Sequence, residues 1–173
     1  IVMVTKQGIV KRTKLDAYRN IRKNGLIAIT LSEDDELAWV RLTSGHSELI
    51  VATKNGMAIR FKETDARPLS RSAKGVRAIK LKDGDQVVGM ARIREGATVM
   101  TVTDKGQGRR TAVEEYRCQT RGGFGKINYK VNEEKGHVVG VKVVDEDDDL
   151  IMISDDGVII RIRANDLRVM RRT

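Results

Sequence analysis

Apolar and polar positions follow one another in short β-rich runs, and the runs recur along the chain. Four segments match: Val4-Thr5-Lys6-Gln7-Gly8, Ala52-Thr53-Lys54-Asn55-Gly56, Val102-Thr103-Asp104-Lys105-Gly106 and Ile153-Ser154-Asp155-Asp156-Gly157. Their glycines are 48, 50 and 51 residues apart. A second marker follows in the first three copies: Asn24-Gly25-Leu26-Ile27, Lys74-Gly75-Val76-Arg77 and Phe124-Gly125-Lys126-Ile127. A third is Glu36-Leu37-Ala38-Trp39-Val40, Gln86-Val87-Val88-Gly89-Met90 and His137-Val138-Val139-Gly140-Val141. The repeats therefore run 1–48, 49–98, 99–149 and 150–173, the last being half a copy. X-Gly between two β-rich runs signals a tight hairpin, because glycine supplies positive φ at little cost. A second hairpin is expected across Ser32-Glu33-Asp34-Asp35, Lys82-Asp83-Gly84-Asp85 and Asn132-Glu133-Glu134-Lys135-Gly136. Four strands per repeat of about 50 residues is the pattern of a propeller blade. The internal period tells against the rival, a β-sandwich. The expected fold is all-β and propeller-like, with three full blades and the opening hairpin of a fourth. The stretches 15–19 and 113–117 read as single helical turns. Pro68 is the only proline, and no low-complexity linker divides the array.

Composition narrows the function. The 173 residues suffice to bury roughly 70% of the unfolded surface. Six aromatic residues are too few for a stacking platform of the kind that binds single strands. Cys118 is the only cysteine, so no intrachain disulfide or thiolate metal site is expected, and a reducing compartment is the simpler reading. No apolar run nears the ~20 residues that span a bilayer. The chain begins at Ile1, which reads as a piece of a longer protein.

Charge adds the main functional hint. Lys and Arg number 33 against 24 Asp and Glu, a formal +9 with pI about 9.8. By repeat the balance is +2, +6, −1 and +2. Four residues after each hairpin glycine stand Arg12, Arg60, Arg110 and Arg161; six after it stand Lys14, Lys62, Ala112 and Arg163. Strand side chains alternate, so these share one face. The opposite face is apolar in two copies, as Met57, Ile59, Phe61 and Val158, Ile160, Ile162, and is expected to pack there. A basic strand face repeated once per blade becomes a band around the rim, which tracks a phosphate backbone. Arg22 and Arg71 join this candidate DNA-binding set. The plainer reading is that Lys and Arg on an outer strand prevent edge-to-edge pairing.

Other features carry less. The loop Gln119-Thr120-Arg121-Gly122-Gly123-Phe124-Gly125 could bring backbone N–H groups and a guanidinium to a phosphate. The acidic run 145–149 lacks the spaced ligands of a cation loop and reads as a solvated connection. His46 and His137 are isolated, and Tyr18 and Tyr116 fall at one repeat position, as packing residues do. No catalytic constellation, P-loop or metal-ligand spacing is present.

The phrases Thr-Lys-Gln-Gly-Ile-Val-Lys-Arg-Thr, Asn-Gly-Met-Ala-Ile-Arg-Phe-Lys-Glu, Gly-Gln-Gly-Arg-Arg-Thr-Ala-Val-Glu-Glu-Tyr and Asp-Gly-Val-Ile-Ile-Arg resemble the C-terminal domain of DNA gyrase A over the whole chain. The resemblance implies a six-bladed β-pinwheel in which neighbouring blades exchange strands. This chain looks like its third to fifth blades and the opening hairpin of its sixth. It implies wrapping of duplex DNA around a basic rim, so that strand passage leaves negative supercoils. It implies as partners the rest of gyrase A, which is dimeric, and gyrase B, on the bacterial chromosome in the cytoplasm. The cleaving tyrosine, the metal cluster and the ATPase belong elsewhere in that type II topoisomerase, so this chain carries no cofactor of its own, ATP and Mg2+ acting outside it. Gln119, Arg121, Gly122, Gly123 and Gly125 match the family's signature box Gln-Arg-Arg-Gly-Gly-Lys-Gly in degenerate form, with Thr120 and Phe124 in place of two basic residues. The related domain of topoisomerase IV is the nearest alternative, and a protein-interaction propeller the more distant one.

Overall fold

The computed structural model describes all residues from Ile1 to Thr173. Thirteen strands form four antiparallel sheets. The first sheet holds β1 (Val2–Thr5), β2 (Ile9–Arg12), β3 (Leu37–Arg41) and β6 (Val76–Arg77), in the order β3-β1-β2-β6. The second is β10-β5-β4-β7, built from β4 (Glu48–Thr53), β5 (Met57–Lys62), β7 (Val87–Arg92) and β10 (Lys126–Ile127). The third is β11-β8-β9, from β8 (Thr98–Thr103), β9 (Gly108–Ala112) and β11 (Val138–Val144). The last is the hairpin of β12 (Asp149–Ile153) and β13 (Ile159–Arg163).

Each blade starts from the same local chemistry. The hairpin glycine takes positive φ, +84° at Gly8 and +87° at Gly56. The hydroxyl three residues before it accepts the N–H just after it. Thr5 serves Ile9, Thr53 serves Met57, Thr103 serves Gln107 and Ser154 serves Val158, at 3.0–3.3 Å. A 3₁₀ turn follows every hairpin, at Leu15–Tyr18, Glu63–Asp65, Val113–Glu115 and Ala164–Asp166.

The expected second hairpins do not form. The turns at 32–35, 82–85 and 132–136 exist, but the segments flanking them belong to different sheets. The strand before the turn crosses to the preceding blade: Val76 pairs with Val10 and Arg77 with Ile9, while Lys126 pairs with Ala58 and Ile127 with Met57. The strand after it stays at home, β3 on β1, β7 on β4 and β11 on β8. Blades thus exchange strands. The homologous stretch 24–30 pairs with no sheet, and Ile27 is exposed. At the opposite sheet edges β3, β7 and β11 pack against one another and line the inside of the array. The exchanged strands β6 and β10 lie at the rim.

The core lies between blades. One buried cluster joins Val2, Val4 and Val10 to Leu49, Ile59 and Phe61; another joins Ile50 and Ala52 to Val99, Val113, Tyr116 and Val141. The packed strand face agrees with expectation at Ile59 and Phe61, which are buried, but not at Val158 and Ile160, which are 56% and 52% exposed because no blade covers them. The first copy packs the same face although it is partly polar there. Lys11 and Thr13, polar members of that face, are buried. The Lys11 ammonium donates to the carbonyls of Ala28 (2.7 Å) and Arg71, and burial pushes its pKa down. The acidic run 145–149 is exposed, and Arg94 pairs with Asp145 at 3.0 Å.

The exchanged strand demands glycine at its start. Gly125 has φ +75°, and a Cβ there would sit 2.3 Å from the Ala58 carbonyl oxygen; at Gly96, φ +76°, a Cβ meets nothing. Both positions carry the left-handed penalty of ~1–2 kcal/mol for a side chain. Gly125→Ala should lose a further ~1–3 kcal/mol by overpacking the joint, a difference that denaturant titration of the two alanine variants reads directly. Tyr116, buried with its hydroxyl donating to Asn128 Oδ1 at 2.5 Å, has its pKa pushed up to about 12, mainly by burial. The unfolded chain ionises this phenol near pH 10 and the folded one does not. Stability should therefore fall between pH 10 and 12, by up to roughly 2.7 kcal/mol. In Tyr116→Phe that slope, followed by denaturation at fixed pH values, should be shallower.

Candidate nucleic-acid interface

The arginines four residues past each hairpin glycine are not a free basic face. Arg12 donates through Nη1 to the carbonyls of Glu63 (2.8 Å) and Ala66 (2.9 Å), and the Glu63 carboxylate stands 3.5 Å from its Nε. Arg60 does the same one blade on, to Val113 (2.9 Å) and Tyr116 (3.2 Å). Arg110, 4% exposed, donates from Nε and Nη2 to Leu167 at 3.1 and 2.9 Å. The acceptors are equivalent residues of the next copy. The backbone of each arginine closes the same joint, its carbonyl accepting from Leu69, Gln119 or Met170 at 2.7–2.8 Å. Arg161 is exposed, with only Asp149 as partner. These guanidiniums bind carbonyls because the 3₁₀ turn that follows each hairpin presents carbonyls of its first residue and of the residue just past its end to the joint, where buried acceptors need donors.

Cross-strand carboxylates tune the same position. Glu48 and Asp149 face the strand that carries Arg60 and Arg161, and each holds its arginine; the Glu48–Arg60 contact is 2.5 Å. Thr98 occupies that place in the third blade, and Arg110 Nη1 is left without a partner.

The loop from Gln119 to Gly125 is likewise a joint rather than a phosphate cradle. The Gly122 N–H donates to Ala78, and Gly123 accepts from the Lys80 N–H. Arg121 donates to the carbonyls of Asp65 (3.0 Å) and Arg77 (2.9 Å). Equivalent bonds run from Arg71 to the Ile27 carbonyl and from Arg172 to that of Ile127. Arg71 is therefore half-buried and committed, against the expectation of a free contact.

Exposed cations remain at the rim. Lys14, Lys62, Arg163 and Arg22 of the expected set are exposed and enter no ion pair. Lys62, Arg117 and Lys126 converge on an open groove of about 560 Å3 at the boundary of the second and third blades. Asp65 is its one carboxylate; Cys118, Gln119 and Thr120 complete the lining. Lys62 comes from the home hairpin, Arg117 from the turn of the next copy and Lys126 from the exchanged strand, so strand exchange itself assembles the groove. Arg117 belongs to a column that sequence reading missed: Arg19, Arg67, Arg117 and Arg168 stand eleven residues past the four hairpin glycines, all exposed. The four-copy register that revealed the +4 arginines contained this signal too.

This geometry has relatives. The family described as DNA gyrase C-terminal domain, beta-propeller, matches residues 1–44, 47–94, 97–145 and 148–173. The chain belongs to that family. The DNA gyrase A of Clostridium acetobutylicum is 49% identical over 172 residues, 99% of this chain and 21% of that protein. The chain thus spans about a fifth of the length of the curated relatives it matches. Among solved structures, the C-terminal domain of a DNA topoisomerase IV superposes with TM-score 0.94 at 28% identity, covering 99% of this chain and 54% of that one. A DNA gyrase A C-terminal domain superposes with TM-score 0.88 at 26% identity, covering 99% and 57%.

Removing a joint arginine should cost stability. Hydrogen bonds from a charged donor are worth ~1.5–3 kcal/mol, so Arg110→Ala should lose about that much. Arg161→Ala, at an exposed site, should stay within ~0.5 kcal/mol. Urea midpoints of the two variants, at unchanged m, check the contrast.

Proposed function

We propose that this chain is part of the duplex DNA-binding and wrapping module of a DNA gyrase. The observation that carries the reading is the rim groove of Lys62, Arg117 and Lys126, with the exposed +6 and +11 cations recurring along the copies. Such a row meets a phosphate at each blade and reads no base, so binding is sequence-nonspecific and salt-dependent. The chain acts as a non-catalytic part of the enzyme, bending DNA toward a gate formed by the rest of the gyrase A dimer. Gyrase B, with ATP and Mg2+, supplies the driving chemistry, in the cytoplasm on the bacterial chromosome. Bending 20–30 bp through 40–90° costs on the order of 1–6 kcal/mol. Contacts spread over several blades offset that cost better than one strong site. The similarity to a topoisomerase IV domain favours a second reading, the same DNA-bending role in that enzyme; the family match and the 49% identity to a curated gyrase A support gyrase first.

Affinity for plain duplex should fall on the order of 10³–10⁵ between 50 and 200 mM salt if 6–10 phosphates are neutralised. Lys62→Gln and Arg117→Gln should each flatten the salt slope by about one, equally on all sequences, and leave stability within ~0.5 kcal/mol. Gel shifts across salt with two unrelated duplexes test this. Salt-insensitive binding, or unchanged slopes in both variants, would overturn it.

A further inference from the structure

The inner face of the array carries a second cationic cluster. Arg41 ends β3, Arg92 ends β7 and Lys142 lies within β11, three inner strands from three successive blades. With Arg94 they line a recess of about 270 Å3 that has no Asp or Glu in its wall. Its floor is apolar: Leu42, Met90, Ala91 and Val143. Arg92 and Lys142 form no ion pair and no side-chain hydrogen bond, and the only partner of Arg41 is the carbonyl of its neighbour Val40. Arg94 alone is anchored, by the Val143 carbonyl at 3.3 Å and by Asp145 at 3.0 Å. Arg41, Arg92 and Lys142, gathered without carboxylate partners, repel one another, and a multivalent anion placed among them is favoured over a monovalent one. Guanidinium forks match phosphate oxygens in pairs. No blade alone holds more than two of the four cations, so the recess exists only when three blades are docked.

We propose that this recess is a binding site for a condensed phosphate chain, separate from the rim. A ligand held there bridges three blades, and it stabilises the docked array increasingly as its concentration rises above its dissociation constant.

Calorimetric titration of the chain with sodium tripolyphosphate, in chloride buffer without DNA, tests this. The expected result is one saturable site that weakens at least tenfold in the double variant Arg41→Gln/Lys142→Gln. It should persist within twofold in the rim variant Lys62→Gln/Arg117→Gln. A thermal shift under tripolyphosphate should track the same pattern. ATP should bind through its triphosphate with comparable affinity. Absence of saturable binding overturns the proposal, as does loss only in the rim variant, which would locate the phosphate on the DNA groove. Binding of ATP without tripolyphosphate also overturns it, because the recess would then recognise the nucleoside. Since the rim variant and the absence of DNA separate the two surfaces, failure here leaves the wrapping reading standing, and failure of wrapping leaves this one.

Discussion

Everything else in the array rests on one polar joint: an arginine four residues past a hairpin glycine, donating into the carbonyls at the two ends of the next blade's 3₁₀ turn. Sheets stacked side by side through apolar faces alone can slide, because hydrophobic burial is non-directional. The guanidinium fork is directional, and it is always charged. At Arg12, Arg60 and Arg110 it lands on equivalent acceptors of the next copy, so each blade takes a defined angle to its neighbour. The exchanged strand then locks that angle, since Gly75 and Gly125 approach the neighbouring backbone too closely to tolerate any side chain. Apolar burial supplies most of the favourable free energy, and the joint selects which packing is used.

That division of labour decides which cations are available to a ligand. An arginine bonded to buried carbonyls cannot turn outward without leaving those acceptors unpaired, which costs ~1–3 kcal/mol for each group. Arg12, Arg60 and Arg110 are thus structural, and the rim's outward charge comes from the columns at +6 and +11. The net charge of +9 overstates what faces outward as a binding surface, because part of it is held inside joints. The same logic explains the second copy. It carries the largest local excess, and its boundary with the third blade holds the groove where three cations meet.

Much of the architecture was legible in the chain because repeats expose equivalence. The glycines at 8, 56, 106 and 157 between β-rich runs located every first hairpin, and the family resemblance implied strand exchange. Two things were not legible. Which sheet a strand joins depends on long-range pairing, and 24–30, 74–80 and 124–130 look alike although only the latter two find partners. Whether an arginine points outward depends on what stands opposite. Alternation puts Arg60 and Lys62 on one face, yet one meets the carbonyls of the next blade and the other meets solvent. Lys11 shows the converse, a lysine on the buried face because two backbone carbonyls await its ammonium.

A repeated joint also sets how the rim curves. The first two boundaries are closed by the same atoms, Nη1 of Arg12 or Arg60 on two carbonyls of the next copy, so their geometry repeats. The arginines eleven residues past each hairpin glycine therefore recur at one position per copy along the array. The third joint departs from this regularity. Thr98 leaves Arg110 without the carboxylate that its counterparts have, and one of its donors is unpaired. An unsatisfied buried donor weakens its own joint relative to the others. The third boundary holds its arginine by one carbonyl, where the first two hold theirs by two.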